Sequence, residues 1–114
     1  MIERRPLASL GSFQNDWLNA KHYFSFDQCR DSSRMGLGRL PVWNDAEIAP
    51  GTGSNPHPHQ GMEIVIYIRS GAITHQDSLG NVGRPEAGDV QVMHAGAGID
   101  HAEYNKEAIA TRLF

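Results

Sequence analysis

Glycine and proline punctuate this chain at short intervals, twelve and six of them in 114 residues. Frequent turns leave room for short strands and little room for helices, whose usual length is roughly 10–14 residues. Between the turns lie residues that favour strands. Residues 62–69 (MEIVIYIR) are β-branched and apolar at both parities, which predicts a central strand covered on both faces. Residues 22–26 (HYFSF) alternate large and small side chains with aromatic enrichment and read as a strand. Residues 35–43 form another candidate, broken by Gly36, Gly38 and Pro41 and therefore placed at an edge or on a bulge. The spacing predicts turns at Asn44-Asp45 and over 48–53, a return over 72–76, a hairpin loop over 78–81, a strand over 90–94, a reversal at Ala95-Gly96-Ala97-Gly98, and strands over 99–104 and from Ala108. Residues 7–20 are mixed, with Trp17 and Leu18 as anchors and a short helical turn expected around Asp16. No segment carries a strong helical period, so the expected fold is an all-β sandwich or barrel.

With 39% hydrophobic residues, the chain fits one small domain with a single core over residues 1–114. Its net charge is -3, and Lys and Arg are scattered, so no footprint for nucleic acid is present. The single cysteine, Cys29, forms no internal disulfide and suits a reducing compartment; it reads as a bystander thiol in a polar loop. The N-terminal residues lack the apolar run of a signal peptide, and no segment approaches the roughly 20 apolar residues of a membrane span. The expectation is a soluble, cytoplasmic protein.

Chemistry concentrates in two short patterns. His57-Pro58-His59 carries two imidazoles at i and i+2, which point to the same side of an extended segment and can reach one ion. His101-Ala102-Glu103 repeats that spacing behind a glycine-rich turn and adds an imidazole and a carboxylate. Three nitrogens and one oxygen suit a transition metal and leave open positions for substrate or O2. Fe(II), Mn, Ni, Co, Cu and Zn are all compatible with such donors. Glu63 shares the parity of His57 and His59 if no bulge intervenes at Gly61. It is therefore read either as orienting a ligand imidazole through its other ring nitrogen or as the carboxylate ligand in place of Glu103. His22, His75 and His94 read as hydrogen-bonded structural or surface residues. The 95–98 glycines lack the lysine and helix of a phosphate loop.

Gly51, His57-Pro58-His59, Glu63 and Gly71 resemble the first cupin motif, and Gly88, Gly96, His101 and Asn105 the second. The spacing departs slightly from the general pattern, toward one branch of that superfamily. Residues 22–26, 49–53, 57–59, 62–64, 75–81 and 95–105 resemble the pirin family over nearly the whole chain.

That resemblance implies a cupin-type double-stranded β-helix, a small jelly-roll barrel holding one metal, commonly iron, in its mouth. The family's ligands map onto His57, His59, His101 and Glu103. Family members usually carry a second, C-terminal cupin domain and a longer strand after the position of Phe114, neither of which lies within these 114 residues. Several members are quercetin 2,3-dioxygenases, and the mammalian member is a nuclear, iron-dependent transcriptional co-regulator. The implied function is a metal-dependent dioxygenase acting on a flavonol-like substrate with O2, Glu103 serving as general base. The alternative is a non-enzymatic metal-binding or redox-sensing regulatory module. Because the chain stops on apolar Leu113-Phe114, an open C-terminal edge is expected, closed by a homodimer through that segment and residues 23–26.

Overall fold

The turn-rich sequence resolves into two antiparallel sheets. The structure is a computed structural model and describes residue 2, residues 4–25 and residues 32–114. After a single 3-10 turn at Leu7–Ser9 come β1 (Gly11–Gln14), β2 (Leu18–His22), β3 (Asn44–Ile48), β4 (Thr52–Gly53), β5 (His57–His59), β6 (Glu63–Ser70), β7 (Thr74–Asp77), β8 (Val82–Gly83), β9 (Val90–His94), β10 (Ile99–Asn105) and β11 (Thr111–Leu113). One sheet has the order β1-β2-β3-β11-β6-β9, and the other has the order β4-β10-β7-β8, with β5 also paired to β10. The all-β expectation holds, and no α-helix occurs among the described residues.

Ile48, Ile66, Ile68 and Ile73 form the main core, with Trp17, Leu18, Ile64 and Leu113 packed against it. Met93, Ala95 and Ile99 form a second cluster, and Ile64 touches both. Burying an isoleucine side chain contributes about 1.5–3 kcal/mol, so these few residues dominate the hydrophobic stabilisation. The strands over 90–94 and 99–105 and the hairpin loop after Asp77 agree with the sequence reading, while the last strand begins at Thr111 and not at Ala108.

Several expectations are corrected. Residues 62–69 do form a strand, paired on both sides by β11 and β9. It is not covered on both faces, however, since Ile66 and Ile68 are buried while Val65 and Tyr67 are exposed. Their cross-strand partners Val92 and Val90 are exposed as well, giving an apolar outer surface on β6 and β9.

Around Asp16 there is no helical turn but a β-hairpin, closed where Oδ1 of Asn15 accepts the backbone N–H groups of Trp17 and Leu18 at 3.0 and 2.8 Å. The early strand spans Leu18–His22 in place of 22–26, and Phe26 lies outside the described residues, as does Cys29. Residues 35–43 make no strand, only a bridge between Leu37 and Leu40, in keeping with their glycines and proline. Asn44-Asp45 is no turn; both residues belong to β3, paired to β2.

The C-terminus is not an open edge. β11 lies between β3 and β6, Tyr67 and Phe114 exchange backbone hydrogen bonds at 3.1 and 3.0 Å, and the Arg69 guanidinium sits 4.6 Å above the Phe114 ring.

Candidate metal centre

β10 is the strand on which the site is built, because β4, β5 and β7 all pair with it. Along it the side chains of Ile99, His101 and Asn105 are buried while Asp100 and Tyr104 are exposed, so odd-numbered residues face inward. Register then decides which neighbours share that face. His57 lies opposite His101 and His59 opposite Ile99 on one side, while Asp77 lies opposite His101 and His75 opposite Glu103 on the other. On β9 of the facing sheet, Gln91 alternates with exposed Val90 and Val92 and points inward.

The three imidazoles converge. Ring centroids are 4.9 Å apart for His57 and His59, 4.3 Å for His57 and His101, and 4.8 Å for His59 and His101. One nitrogen from each ring lies within 4.8 Å of the others, a spacing at which one ion can be shared. Glu103 belongs to an overlapping group with His101 and His75 that meets the same limit. His101 is therefore the link between the imidazole set and the carboxylate.

The surroundings of the two groups differ. Oε1 of Glu103 accepts from Nδ1 of His75 at 2.9 Å and from Nε2 of Gln91 at 3.2 Å. Nδ1 of His101 lies 3.3 Å from the same oxygen without hydrogen-bond geometry. The other ring nitrogen of His75 donates to Oδ2 of Asp77 at 2.8 Å. Oδ1 of Asp77 in turn accepts the backbone N–H groups of Leu79 and Asn81 at 2.9 and 3.1 Å. By contrast, neither ring nitrogen of His101 has a hydrogen-bond partner, and Oε2 of Glu103 is buried and unpartnered.

Buried polar atoms almost always find partners. Two residues of one strand break that rule, and the lone pair on one ring nitrogen of neutral His101 together with Oε2 of Glu103 fits a bound cation. A nitrogen and oxygen set of this kind can hold a divalent transition metal.

Charge effects follow the same division. Burial, with the neighbouring His101 and His57, lowers the pKa of His59 and favours the neutral form that ligates metal. Burial also acts to lower the pKa of His75, but hydrogen bonds and charge from Asp77 and Glu103 outweigh it, and the net shift is upward. The His75 hydrogen bond, aided by the Asn81 and Leu79 amides, holds the Asp77 carboxyl down to about 2.

Glu63 does not join the site. The chain leaves the extended state between β5 and β6, where Gly61 has φ of +62°, so parity is not carried across. Glu63 and His94 emerge on the outer face, each side chain 71% exposed, and Nδ1 of His94 lies 3.1 Å from Oε1 of Glu63. His22 is buried and hydrogen-bonded to Asn44, as expected for a structural histidine. His75 is buried and hydrogen-bonded, in keeping with a structural histidine, and its partner is the Glu103 carboxylate. His75 and Asp77 carry their own i, i+2 signal, whereas Gln91 between two valines gave no chemical cue.

The sequence profile of the family described as Pirin matches residues 4–114. The chain belongs to the pirin family. As a pirin it is 60% identical over 114 residues to the pirin-like protein of Caulobacter vibrioides, covering 100% of this chain and 49% of that one. It is 44% identical over 105 residues to the Escherichia coli protein named quercetin 2,3-dioxygenase, covering 92% of this chain and 46% of that one. The bacterial pirin YhhW of Escherichia coli, solved in complex with nickel(II), superposes with a TM-score of 0.92 at 41% identity over 96% of this chain and 48% of that one. At 17% identity and a TM-score of 0.66, a Schizosaccharomyces pombe cupin domain shares the fold over 95% of this chain and 67% of that one. This pirin is thus a cupin jelly roll, and it spans about half the length of the curated relatives it matches. No helix among its described residues is long and apolar enough to cross a membrane.

Proposed function

We propose that the chain carries a metal-dependent, quercetin 2,3-dioxygenase-like activity, with one divalent ion held by His57, His59, His101 and Glu103. The observation that carries this reading is the meeting of three imidazoles, among them His101 with no hydrogen bond to its ring, near the unpartnered Oε2 of Glu103. The names of the Escherichia coli relatives, one a quercetin 2,3-dioxygenase and one a pirin with nickel(II), support it. Fe(II) is the first candidate ion, and Ni, Mn, Co, Cu and Zn share its affinity for nitrogen and oxygen donors.

When bound, the ion supplies Lewis acidity toward a substrate hydroxyl and access to one-electron chemistry with O2. The residues supply the rest. A surface depression of about 480 Å³, bordered by Pro58, Gln60, Ser78 and Asp100, reaches the site through His59 alone; His57, His101 and Glu103 do not line it. Glu103 is the carboxylate placed to take the enolic hydroxyl proton as general base. With Oε1 held by His75 and Gln91, the carboxylate is kept oriented for that transfer.

Metal analysis of the purified chain, with O2 uptake measured on quercetin, tests the proposal. The expected result is stoichiometric metal and bleaching of quercetin matched to O2 consumed, with Glu103→Gln losing turnover more than metal. Metal without turnover for every candidate ion would replace this reading with that of a metal-binding, redox-sensing regulatory module. A cytoplasmic location and a two-fold homodimer complete the proposal. Because β11 is interior, the dimer face moves to the apolar surface of Val65, Tyr67, Val90 and Val92. A single 12.6 kDa species by light scattering at low micromolar concentration would overturn the dimer.

A further inference from the structure

One oxygen of Glu103 is engaged, and the other is buried and is not. Oε1 receives two hydrogen bonds, from His75 and Gln91, which reach it from different sheets, while Oε2 receives none. His75 is itself fixed, since its second ring nitrogen is bound to Asp77, whose side chain is 2% exposed and anchored by two backbone amides of the 78–81 loop. Register makes this arrangement unavoidable on folding, because His75 is placed directly opposite Glu103 and Asp77 directly opposite His101. An unrestrained carboxylate at a metal can chelate through both oxygens and occupy two coordination positions. Here one oxygen is withheld.

We propose that His75, backed by Asp77 and assisted by Gln91 from the opposite sheet, is a positioning clamp that restricts Glu103 to one-oxygen ligation through Oε2. The proposal rests on the ligand assignment above and extends it to three residues outside the ligand set. Its consequence is that a coordination position stays open on an ion already held by three imidazoles, and that the hairpin loop after Asp77 is mechanically tied to the metal through three side chains. Groups of this kind, which orient a ligand without touching the ion, typically contribute about 10–100-fold to metal affinity.

The test uses the whole chain and nickel(II) as probe, with affinity read by competition against a chelating dye and the ligand shell read by X-ray absorption. Gln91→Leu and His75→Leu should each weaken nickel binding about 10-fold or more, and should raise the number of oxygen neighbours as the carboxylate turns bidentate. His75→Gln, which keeps an N–H donor, should stay within a few-fold of wild type. If His75→Leu fails to fold, Gln91→Leu carries the test, because Gln91 is only half-buried and lies outside both core clusters. Unchanged affinity and unchanged ligand shell in Gln91→Leu and His75→Leu, while Glu103→Gln binds weakly, would overturn the clamp and leave the ligand assignment standing. Unchanged nickel binding in Glu103→Gln itself would instead overturn the ligand assignment.

Discussion

Gly71 is pressed against Thr111: a methyl group at Gly71 would lie 2.5 Å from Oγ1 of Thr111 and 3.0 Å from its Cα. Gly71 also has φ of +79°, a conformation other residues adopt only with strain. The closeness has a purpose, because Thr111 Oγ1 donates to the Ala72 carbonyl at 2.7 Å and accepts its N–H at 3.2 Å. The hydroxyl thus ties β11 to the turn that ends β6.

Gly71→Ala is expected to destabilise the fold by about 2–3 kcal/mol, combining backbone strain with overpacking. Thr111→Val keeps the shape but leaves both Ala72 backbone groups buried without their partner, which costs about 1–3 kcal/mol. Urea unfolding measures both. A Gly71→Ala midpoint equal to wild type would mean the turn can shift away from Thr111.

The convergence of His57, His59, His101 and Glu103 was legible because its signal is local. A period of two puts His57 with His59 and His101 with Glu103 whatever the tertiary structure does, provided the segments are extended. Glu63 shows the limit of that argument, since a single positive-φ residue at Gly61 breaks parity and sends its side chain to the outer face. The outer face itself was unreadable: Val65 and Tyr67 look like core residues, and only the sheet order shows that their side of β6 and β9 is uncovered. The pairing of His75 with Glu103 depends on the register of β7 against β10, which no local pattern encodes. At the hairpin after Gln14, the Asn15 side chain substitutes for helical hydrogen bonds, a choice that competes closely with a helical turn.

Removing a ligand imidazole should remove metal without unfolding the chain. His59 is only half-buried, and His101 makes no hydrogen bond through its ring, so either loss costs packing alone. His59→Ala and His101→Ala are expected to lower metal affinity by about 100-fold or more. Circular dichroism and metal analysis on the same samples check both halves; metal retained in both variants would exclude these residues as ligands.

The two glutamates make opposite predictions. Glu63→Gln removes a carboxylate that is 71% exposed and pairs only with the equally exposed His94, so metal affinity should stay within about two-fold of wild type. Glu103→Gln should weaken binding markedly. The reverse order in a nickel titration would assign the carboxylate ligand to Glu63.

In the metal-free chain, the contact between Asp77 and His75 makes stability depend on pH in a defined window. The folded His75 pKa lies above 6.5, so its contribution is complete below 6.5 and is lost as pH rises through the raised value. The folded Asp77 pKa is depressed from 3.8 to about 2, so its contribution is complete above 3.8 and is lost as pH falls toward 2. Both are present together between 3.8 and 6.5. The urea midpoint difference between wild type and Asp77→Asn should therefore be largest in that window and shrink on either side. A difference that keeps growing above neutral pH would show that the contribution of Asp77 does not depend on a charged His75.

Metal binding should follow a different pH course, set by the imidazoles that must be neutral to ligate. Burial and the neighbouring histidines lower the His59 pKa below 6.5, so protonation of His59 starts to compete with metal only at more acidic pH than for a free imidazole. Affinity at fixed free nickel should stay level as pH drops toward 6.5 and then fall as His59 charges, with protons released on binding in the acid range. His59→Ala should bind weakly at every pH and release fewer protons there. Affinity that is level from about pH 8 down to about pH 5 would exclude histidine ligation at this site.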